Sequence, residues 1–335
     1  MLAGELGLAR QWAIEHQLQV GRMFDAADMV AVSQAHMMAD PESLGDAGVA
    51  FVEKFAGLPE AGRRVAIPMI TDPRGVDLTY YDPHGQTEEM AELERRFIAA
   101  CLKLGIVMTD TCINYQTIMP PVLGDHVAYG DTGVVIYSNS VCGARSNFEG
   151  GPSALAAGLT GRTPRYGFHL DQHRRATRLF RVHVAPDGLT DWGVLGAVIG
   201  RKAGSYWEVP VIEGIEQVPT SDEMKHFGAA MASYGSTALF HIASITPECR
   251  TLADVGGDKL SSEDIRQSDL DELRDPFGAR GDKVDVVVFA APQLSLIEMR
   301  QVADLCRGHH RHAETDMIVC TAESVYADAV RMGYV

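Results

Sequence analysis

The sequence predicts an α/β fold with largely parallel sheets, and three observations carry that prediction. Short apolar runs rich in β-branched residues recur along the chain, each ending in small polar residues. Amphipathic helical patterns lie between them. No internal repeat, low-complexity linker or membrane-length apolar run interrupts the alternation. Strands that alternate with helices form parallel sheets covered by helices, because a parallel connection needs a crossover.

The strand candidates are "VAIPMITDP" (65–73), "GIVMTDTC" (105–112), "GVVIYSNSVCG" (133–143), "ALFHIASITPE" (238–248), "VDVVVFAAPQ" (284–293) and "MIVCTAES" (317–324). Their apolar content fits strands buried on both faces. The first sixty residues read as mostly helical. In "TEEMAELERRFIAACLKLG", Met90, Leu93, Phe97, Ala100, Cys101 and Leu104 share one face. Acids stand at its start and Gly105 is placed to end it. "TSDEMKHFGAAMASYG" opens with Thr220 and Glu223 at capping-box spacing. "LSLIEMRQVADLCRG" and "AESVYADAVRMG" complete the helical patterns, with Gly308 and Gly333 just past their ends.

A net charge of −16, spread along the chain, argues against nucleic acid or an anionic membrane as partner. Arg162, Arg165, Arg174, Arg175 and Arg178 are local basic spots suited to a small anion. The start carries Glu5 and no basic segment before an apolar stretch, so no signal peptide is expected. The six cysteines form no CxxC pair, which fits reduced thiols in a cytoplasm.

In parallel α/β folds, ligands bind beyond the carboxyl ends of strands. The expected ends carry Thr71 and Asp72, Asp110 to Cys112, Ser138 to Ser140, Thr246 to Glu248, Gln293, and Thr321 to Glu323. Any one of these is equally an ordinary helix cap; six together predict a shared cleft. The stretch "NSVCGARSNFEGGPSALAAGL" reads as a glycine-rich turn entering a helix with proline in its first turn. Free N–H groups and the helix dipole make such a turn a ready anion site. Arg145 adds a forked donor that matches a carboxylate or phosphate.

"NSVCGARSNFEGGPSALAAGLTGRTPRYGFHLDQHR" resembles the signature of the large, catalytic subunit of the aconitase X family. "GELGLA", "SQAH" (33–36), "TDPRGVD" (71–77), "TCINY" (111–115), "LFHIASITPE" (239–248) and "VVFAAPQLSLIE" (287–298) resemble it in the same order. The resemblance spans nearly the whole chain. It implies an aconitase-like catalytic body with a helical N-terminal region, read as one region over 1–335 with lobes 1–137 plus 275–335, and 138–274. It implies a lyase that dehydrates a small hydroxy acid at an iron or iron–sulfur centre, working with a separate small swivelling-domain subunit.

Removing water needs a base for the proton beside a carboxylate and an acid for the departing hydroxyl. Ser140, His169, Lys225 and His241 stand on matching segments as candidates for this proton transfer. Thr71, Asp72, Asn139, Arg145, Ser146, Asn147, Thr246 and Glu248 are the candidates for holding substrate.

The family's iron ligands fall in motifs resembling TC-x-x-Y, GCPH and a late DTC. Cys112 keeps the first. At the second the chain reads "AAPQ", with Ala291 for the cysteine and Gln293 for the histidine, and Val335 comes before the third. Phe148 also replaces a basic residue. The expectation is therefore an iron centre that is absent or altered. Cys142, Cys249 and Cys320 are either relocated ligands or small buried hydrophobes. Two further functions fit the same departures: a metal-free isomerase or other proton-transfer enzyme, and a non-catalytic relative that binds a small acid or a partner subunit.

Overall fold

The computed structural model describes residues 1–38, 40–278, 281 and 283–335. Eleven α-helices and eleven strands follow in chain order among these residues. The first part of the chain carries α1 (Leu8–Met23), β1 (Met29–Ala31), β2 (Ala35–Met37), α2 (Pro41–Ala56), β3 (Met69–Thr71) and α3 (Glu88–Leu104). The middle carries α4 (Asn114–Thr117), β4 (Ala128–Tyr129), α5 (Thr132–Ser140), α6 (Gly151–Thr160), β5 (Arg162–Pro164), β6 (Arg178–Val182), α7 (Gly188–Ala203), β7 (Pro210–Glu213) and α8 (Ser221–Gly235). The last part carries β8 (His241–Ile242), β9 (Ser262–Ile265), α9 (Gln267–Arg274), β10 (Val286–Leu294), α10 (Leu296–Cys306), β11 (Asp316–Thr321) and α11 (Glu323–Met332).

The chain divides into two compact units. One holds residues 1–112, 124–131 and 144–173; the other holds 113–123, 132–143 and 174–335. Their boundaries differ from the lobes expected from the sequence, since 275–335 falls with the second unit.

In the first unit β2 lies between β3 and β4, parallel to both, with His36 opposite Ile70 and Tyr129. β1 pairs with β5 antiparallel. The apolar face of α3 delivers Phe97, Ala100, Cys101 and Leu104 to a core shared with Val49, Val52, Phe55, Met69 and Leu155. Thr87 caps α3 through its side chain, and Gly105 ends it in the left-handed conformation that glycine adopts without strain.

In the second unit a parallel sheet runs β8-β7-β6-β9, and β10 and β11 form a separate parallel pair. The capping box at the start of α8 forms as its spacing predicts. Helices α7 and α8 pack backbone to backbone. A Cβ at Gly196 would collide with the carbonyl of Phe227, and one at Gly200 with that of Met231.

Two expected strands are corrected. "GVVIYSNS" is helix α5, fully buried from Val134 to Ser140 and packed on α8. Burial on all sides selects the same apolar residues whether the segment is a strand or a helix. "GIVMTDTC" is irregular and meets β3 only through an isolated bridge between Ile70 and Val107. Asn139 and Ser140 therefore stand at the end of a helix rather than a strand.

Candidate active site

Two groups of candidate residues form, one in each unit. In the first unit, parallel pairing brings the carboxyl ends of β2 and β3 side by side. His36 is fully buried, with Nε2 3.3 Å from the carbonyl oxygen of Thr111 and 3.7 Å from Oδ1 of Asp72. A carbonyl only accepts, so Nε2 carries the proton. Burial pushes His36 down to about 4, with the Thr111 hydrogen bond opposing, so the ring is neutral. Asp72 is pushed well above the carboxylate range, first by burial and then by the charges of Asp131 and Asp40. Its Oδ1 and the Nδ1 of His36 have no hydrogen-bond partner among the described residues. Thr71 turns its hydroxyl to Asp110, 3.3 Å away, and Asp110 pairs with Arg74 at 2.6 Å.

The signature turn belongs to the same unit from Ala144 onward. It is laced to β4: Glu149 N–H donates to the Tyr129 carbonyl at 2.8 Å, and Tyr129 N–H donates to the Ser146 hydroxyl at 3.0 Å. Asn147 accepts from Phe168 N–H at 2.9 Å and donates to the Tyr166 carbonyl at 3.1 Å. These bonds give Ser146 and Asn147 a part in shaping the turn. Arg145 donates to the carbonyl of His169 at 3.2 Å and pairs with Asp171 at 2.5 Å. Asp171 is 87% exposed, so an incoming anion can exchange with it at little cost. His169 meets His126, Nδ1 to Nδ1, at 2.9 Å. Glu149 accepts from the Thr163 hydroxyl at 2.7 Å, and burial raises it to about 7.

In the second unit the end of α5 is gripped by Arg174. Its Nε lies 3.0 Å from both Glu248 oxygens, and Nη2 lies 2.9 Å from the Asn139 carbonyl. The Asn139 amide donates to the Ala238 carbonyl at 2.9 Å, and Ser140 accepts from Phe240 N–H at 2.9 Å. His241 donates from Nε2 to the Arg174 carbonyl at 2.8 Å, and burial lowers its pKa. Thr246 accepts from Ile242 N–H at 3.0 Å. Three candidates, Asn139, His241 and Glu248, thus meet around Arg174, and Ser140 follows Asn139 at the end of α5.

Lys225 stands elsewhere in this unit. Its Nζ pairs with Glu298, lies 3.5 Å from Asp222 and donates to the Gln293 carbonyl at 3.0 Å.

Sequence reasoning left His36, His126, Arg174 and Asp171 out of the candidate list. "SQAH" already marked the segment of His36 and "HLDQHR" that of Asp171 and Arg174, while no motif marked His126; which residues are drawn together depends on β2–β3 register and on the packing of α5.

The donors present do not fit a three-cysteine iron–sulfur cluster. At the two positions that the family resemblance makes ligands, Cys112 offers a thiol and Ala291 only a methyl group. No group of three or more His, Cys, Asp or Glu side chains among the described residues is arranged to hold a metal. Burial pushes the thiols of Cys142 and Cys249 up to about 11. No helix among the described residues is long and apolar enough to cross a membrane.

Comparison with known proteins agrees along the whole chain. Residues 1–172 match the aconitase X first domain, 176–275 the second domain and 284–335 the third. The phosphomevalonate dehydratase large subunit of Thermococcus kodakarensis is 32% identical over 335 residues, covering 100% of this chain and 82% of its own length. That of Methanothermobacter thermautotrophicus is 35% identical over 336 residues, covering 100% of this chain and 81% of its own length. The cis-3-hydroxy-L-proline dehydratase of Pseudomonas aeruginosa is 30% identical, covering 100% of this chain and 57% of its own length. The crystal structure of Thermococcus kodakaraensis aconitase X in its holo-form superposes with a TM-score of 0.89 at 32% identity, covering 99% of this chain and 82% of that one. These relatives are dehydratases of small hydroxy acids. An α/β chain with this turn, matched over all three domains, belongs to the aconitase X family.

Proposed function

We propose that this chain is the large subunit of a hydro-lyase that removes water from a small hydroxy acid, with phosphomevalonate as the first substrate to test. The observation that carries the proposal is the match of the entire chain to large subunits of that dehydratase. The relatives' designation as large subunits supports a separate small partner. Six free cysteines support a reducing, cytoplasmic setting.

The residues divide the chemistry as follows. The carboxyl of Asp72, whose protonated form burial favours, donates its proton to the departing hydroxyl. Neutral His36 beside it adds no competing charge. Arg145 takes the substrate's carboxylate or phosphate in exchange for Asp171. A C–H bond and a C–O bond break and a carbon–carbon double bond forms; the proton from Asp72 leaves with the hydroxide as water, and the resulting Asp72 carboxylate takes up the C–H proton, which restores the acid. Iron takes no part in this account, because the donors do not fit it.

A metal-free proton-transfer enzyme is the second reading, and Ala291 favours it. Incubating the chain with phosphomevalonate in deuterated water, with and without a small subunit, separates the two. A product one water lighter supports the hydro-lyase. Deuterium uptake with no loss of water supports the second reading, and neither change overturns both.

A further inference from the structure

Glu94 stands on the buried face of α3, in line with Ala91, Phe97, Cys101 and Leu104. It is fully buried, and neither carboxyl oxygen has a hydrogen-bond partner among the described residues. A carboxyl there costs stability that an apolar side chain would not. Its neighbours are charged groups at the end of β3. Burial raises Glu94 to about 7, while the charge of Arg74 lowers it and that of Asp110 raises it. Below about 7 it is neutral, so it adds no second carboxylate to cancel the Arg74 cation.

Arg74 lies two residues beyond Asp72, past the carboxyl end of a parallel strand, where α/β proteins bind ligands. Its side chain is 31% exposed and pairs with Asp110 through Nη2 at 2.6 Å. One contact leaves most of a guanidinium's five N–H donors open. Nε is buried and has no hydrogen-bond partner among the described residues. Asp110 is itself held firmly. Its backbone is left-handed, with φ of 50°, and it accepts the Thr71 hydroxyl at 3.3 Å. The next residue, Thr111, accepts from His36. Consecutive residues thus hold Arg74 and the His36–Asp72 pair.

We propose, resting on the hydro-lyase reading of this chain, that Arg74 binds the substrate's carboxylate beside Asp72 and leaves Arg145 for an anionic group at the far end. The proton removed lies on the carbon next to the carboxylate. The group that takes it and the cation that holds the carboxylate must therefore stand close together. Asp72 takes that proton, and Arg74 is the arginine on the same turn. Its guanidinium also stabilises the enolate-like charge that builds on the carboxylate as the proton leaves. Arg145 stands apart, on a segment bridged to His126 beyond β4, with β2 and β4 between it and β3. Two separated cations select a hydroxy acid that carries two anionic groups.

Isothermal titration calorimetry of the chain, with a small subunit present, tests this with two probes. Mevalonate has the carboxylate and hydroxyl without a phosphate, and inorganic phosphate has neither. Arg74→Gln is expected to weaken mevalonate by about tenfold or more and to leave phosphate within about twofold, and Arg145→Gln to do the reverse. Arg74→Lys keeps a charge for Asp110 and covers the case in which the glutamine variant fails to fold. It is expected to weaken mevalonate by about fivefold, because an ammonium lacks the fork. Unchanged mevalonate affinity in the Arg74 variants overturns the proposal. So does an equal loss of both probes, or a wild-type chain that binds neither. Loss of water from phosphomevalonate judges the hydro-lyase separately. Selective loss of mevalonate in a chain with no turnover keeps the anchor and rejects the lyase. Turnover by Arg74→Gln at wild-type KM rejects the anchor and keeps the lyase.

Discussion

His36 holds its Nε2 3.7 Å from Oδ1 of Asp72, inside a buried pocket of the first unit where neither group is an ordinary titrating side chain. Burial disfavours charge on both, so it lowers the histidine and raises the acid. The result is a neutral imidazole next to a carboxyl whose protonated form burial favours. A buried acid that keeps its proton can give it to a leaving group, which an ionised surface aspartate cannot.

Asp72→Asn should therefore lower kcat for dehydration by roughly 10²-fold or more, with KM changed little, because the amide keeps the shape and cannot transfer the proton. His36→Gln should have a smaller effect and leave the pH profile in place. Steady-state kinetics on phosphomevalonate, with a small subunit present, checks both. Wild-type kcat in Asp72→Asn removes Asp72 from the proton path.

Arg145→Lys should raise KM with a smaller change in kcat. The guanidinium holds the His169 carbonyl and Asp171 at once, and its fork matches a planar anion where an ammonium does not. Asp171→Asn should act the opposite way and lower KM, since it frees Arg145 from a competing carboxylate. If Arg145→Lys lowers the melting temperature and leaves KM unchanged, the arginine serves the fold and not the substrate.

Stability should depend on pH through Glu149. Its folded pKa is raised by burial from 4.5 to about 7, against the Thr163 hydrogen bond. The folded state therefore keeps a proton that the unfolded chain has already lost. This contribution is fully present below about 4.5 and is lost as pH rises through about 7. The buried His36 has the opposite sign. Its folded value of about 4 lies below the usual 6.5, so its penalty fades as pH rises over that window. Glu149→Gln keeps a partner for Thr163 and cannot ionise. Between pH 5 and 8 the unfolding free energy of that variant should rise relative to wild type by up to about 3 kcal/mol, because the opposing His36 contribution then acts without Glu149. Urea unfolding at the two pH values measures it, and an identical pH dependence in both proteins rejects the assignment.

Much of this arrangement could be read from the residues, for identifiable reasons. Helices α3, α8, α10 and α11 announce themselves because each buries one face and carries its own start or stop signal: Thr87 and Gly105, Thr220 and Glu223, Ser295 and Glu298, and Gly333. Helix α5 does not. Val134, Val135 and Ile136 are β-branched, and burial on every side leaves no periodicity to distinguish a helix from a strand. Thr71, Asp72 and Arg145 were visible as polar groups at a strand end and a glycine-rich turn. His36 was not, because its partners Thr111 and Asp72 are distant in sequence and only the parallel register of β2 on β3 brings them together. Arg174 was visible only as a basic spot suited to a small anion, and its buried pairing was hidden for the same reason. A buried arginine looks like a surface one until Glu248, 74 residues away, is folded against it.

Lys225 was a candidate proton carrier by its segment, and its surroundings lead to a different expectation. The ammonium has three donors, and three acceptors surround it: Glu298, Asp222 and the Gln293 carbonyl. Glu298 also accepts from Ser295 N–H at 2.7 Å and from His226 at 2.6 Å. Burial alone would raise Glu298, but the His226 bond and the Lys225 charge hold it below its usual range, so the pair is ionised. The network pins the end of β10 and the start of α10 onto α8. Lys225→Met removes the only lysine from this cluster and leaves Glu298 and Asp222 facing each other across a dry space. Breaking such a buried pair should destabilise the fold by about 3–5 kcal/mol. Lys225→Met combined with Glu298→Leu should recover part of that loss, because the buried Glu298 charge goes with the lysine and Asp222 keeps the Ser295 hydroxyl and the Gln116 amide as donors. Lys225→Arg should keep the ion pair at some cost in packing, with activity per folded molecule within a few-fold of wild type. Urea unfolding of the two single variants and the double variant gives the coupling directly. A stable Lys225→Met protein with its turnover abolished would instead return the lysine to the proton path.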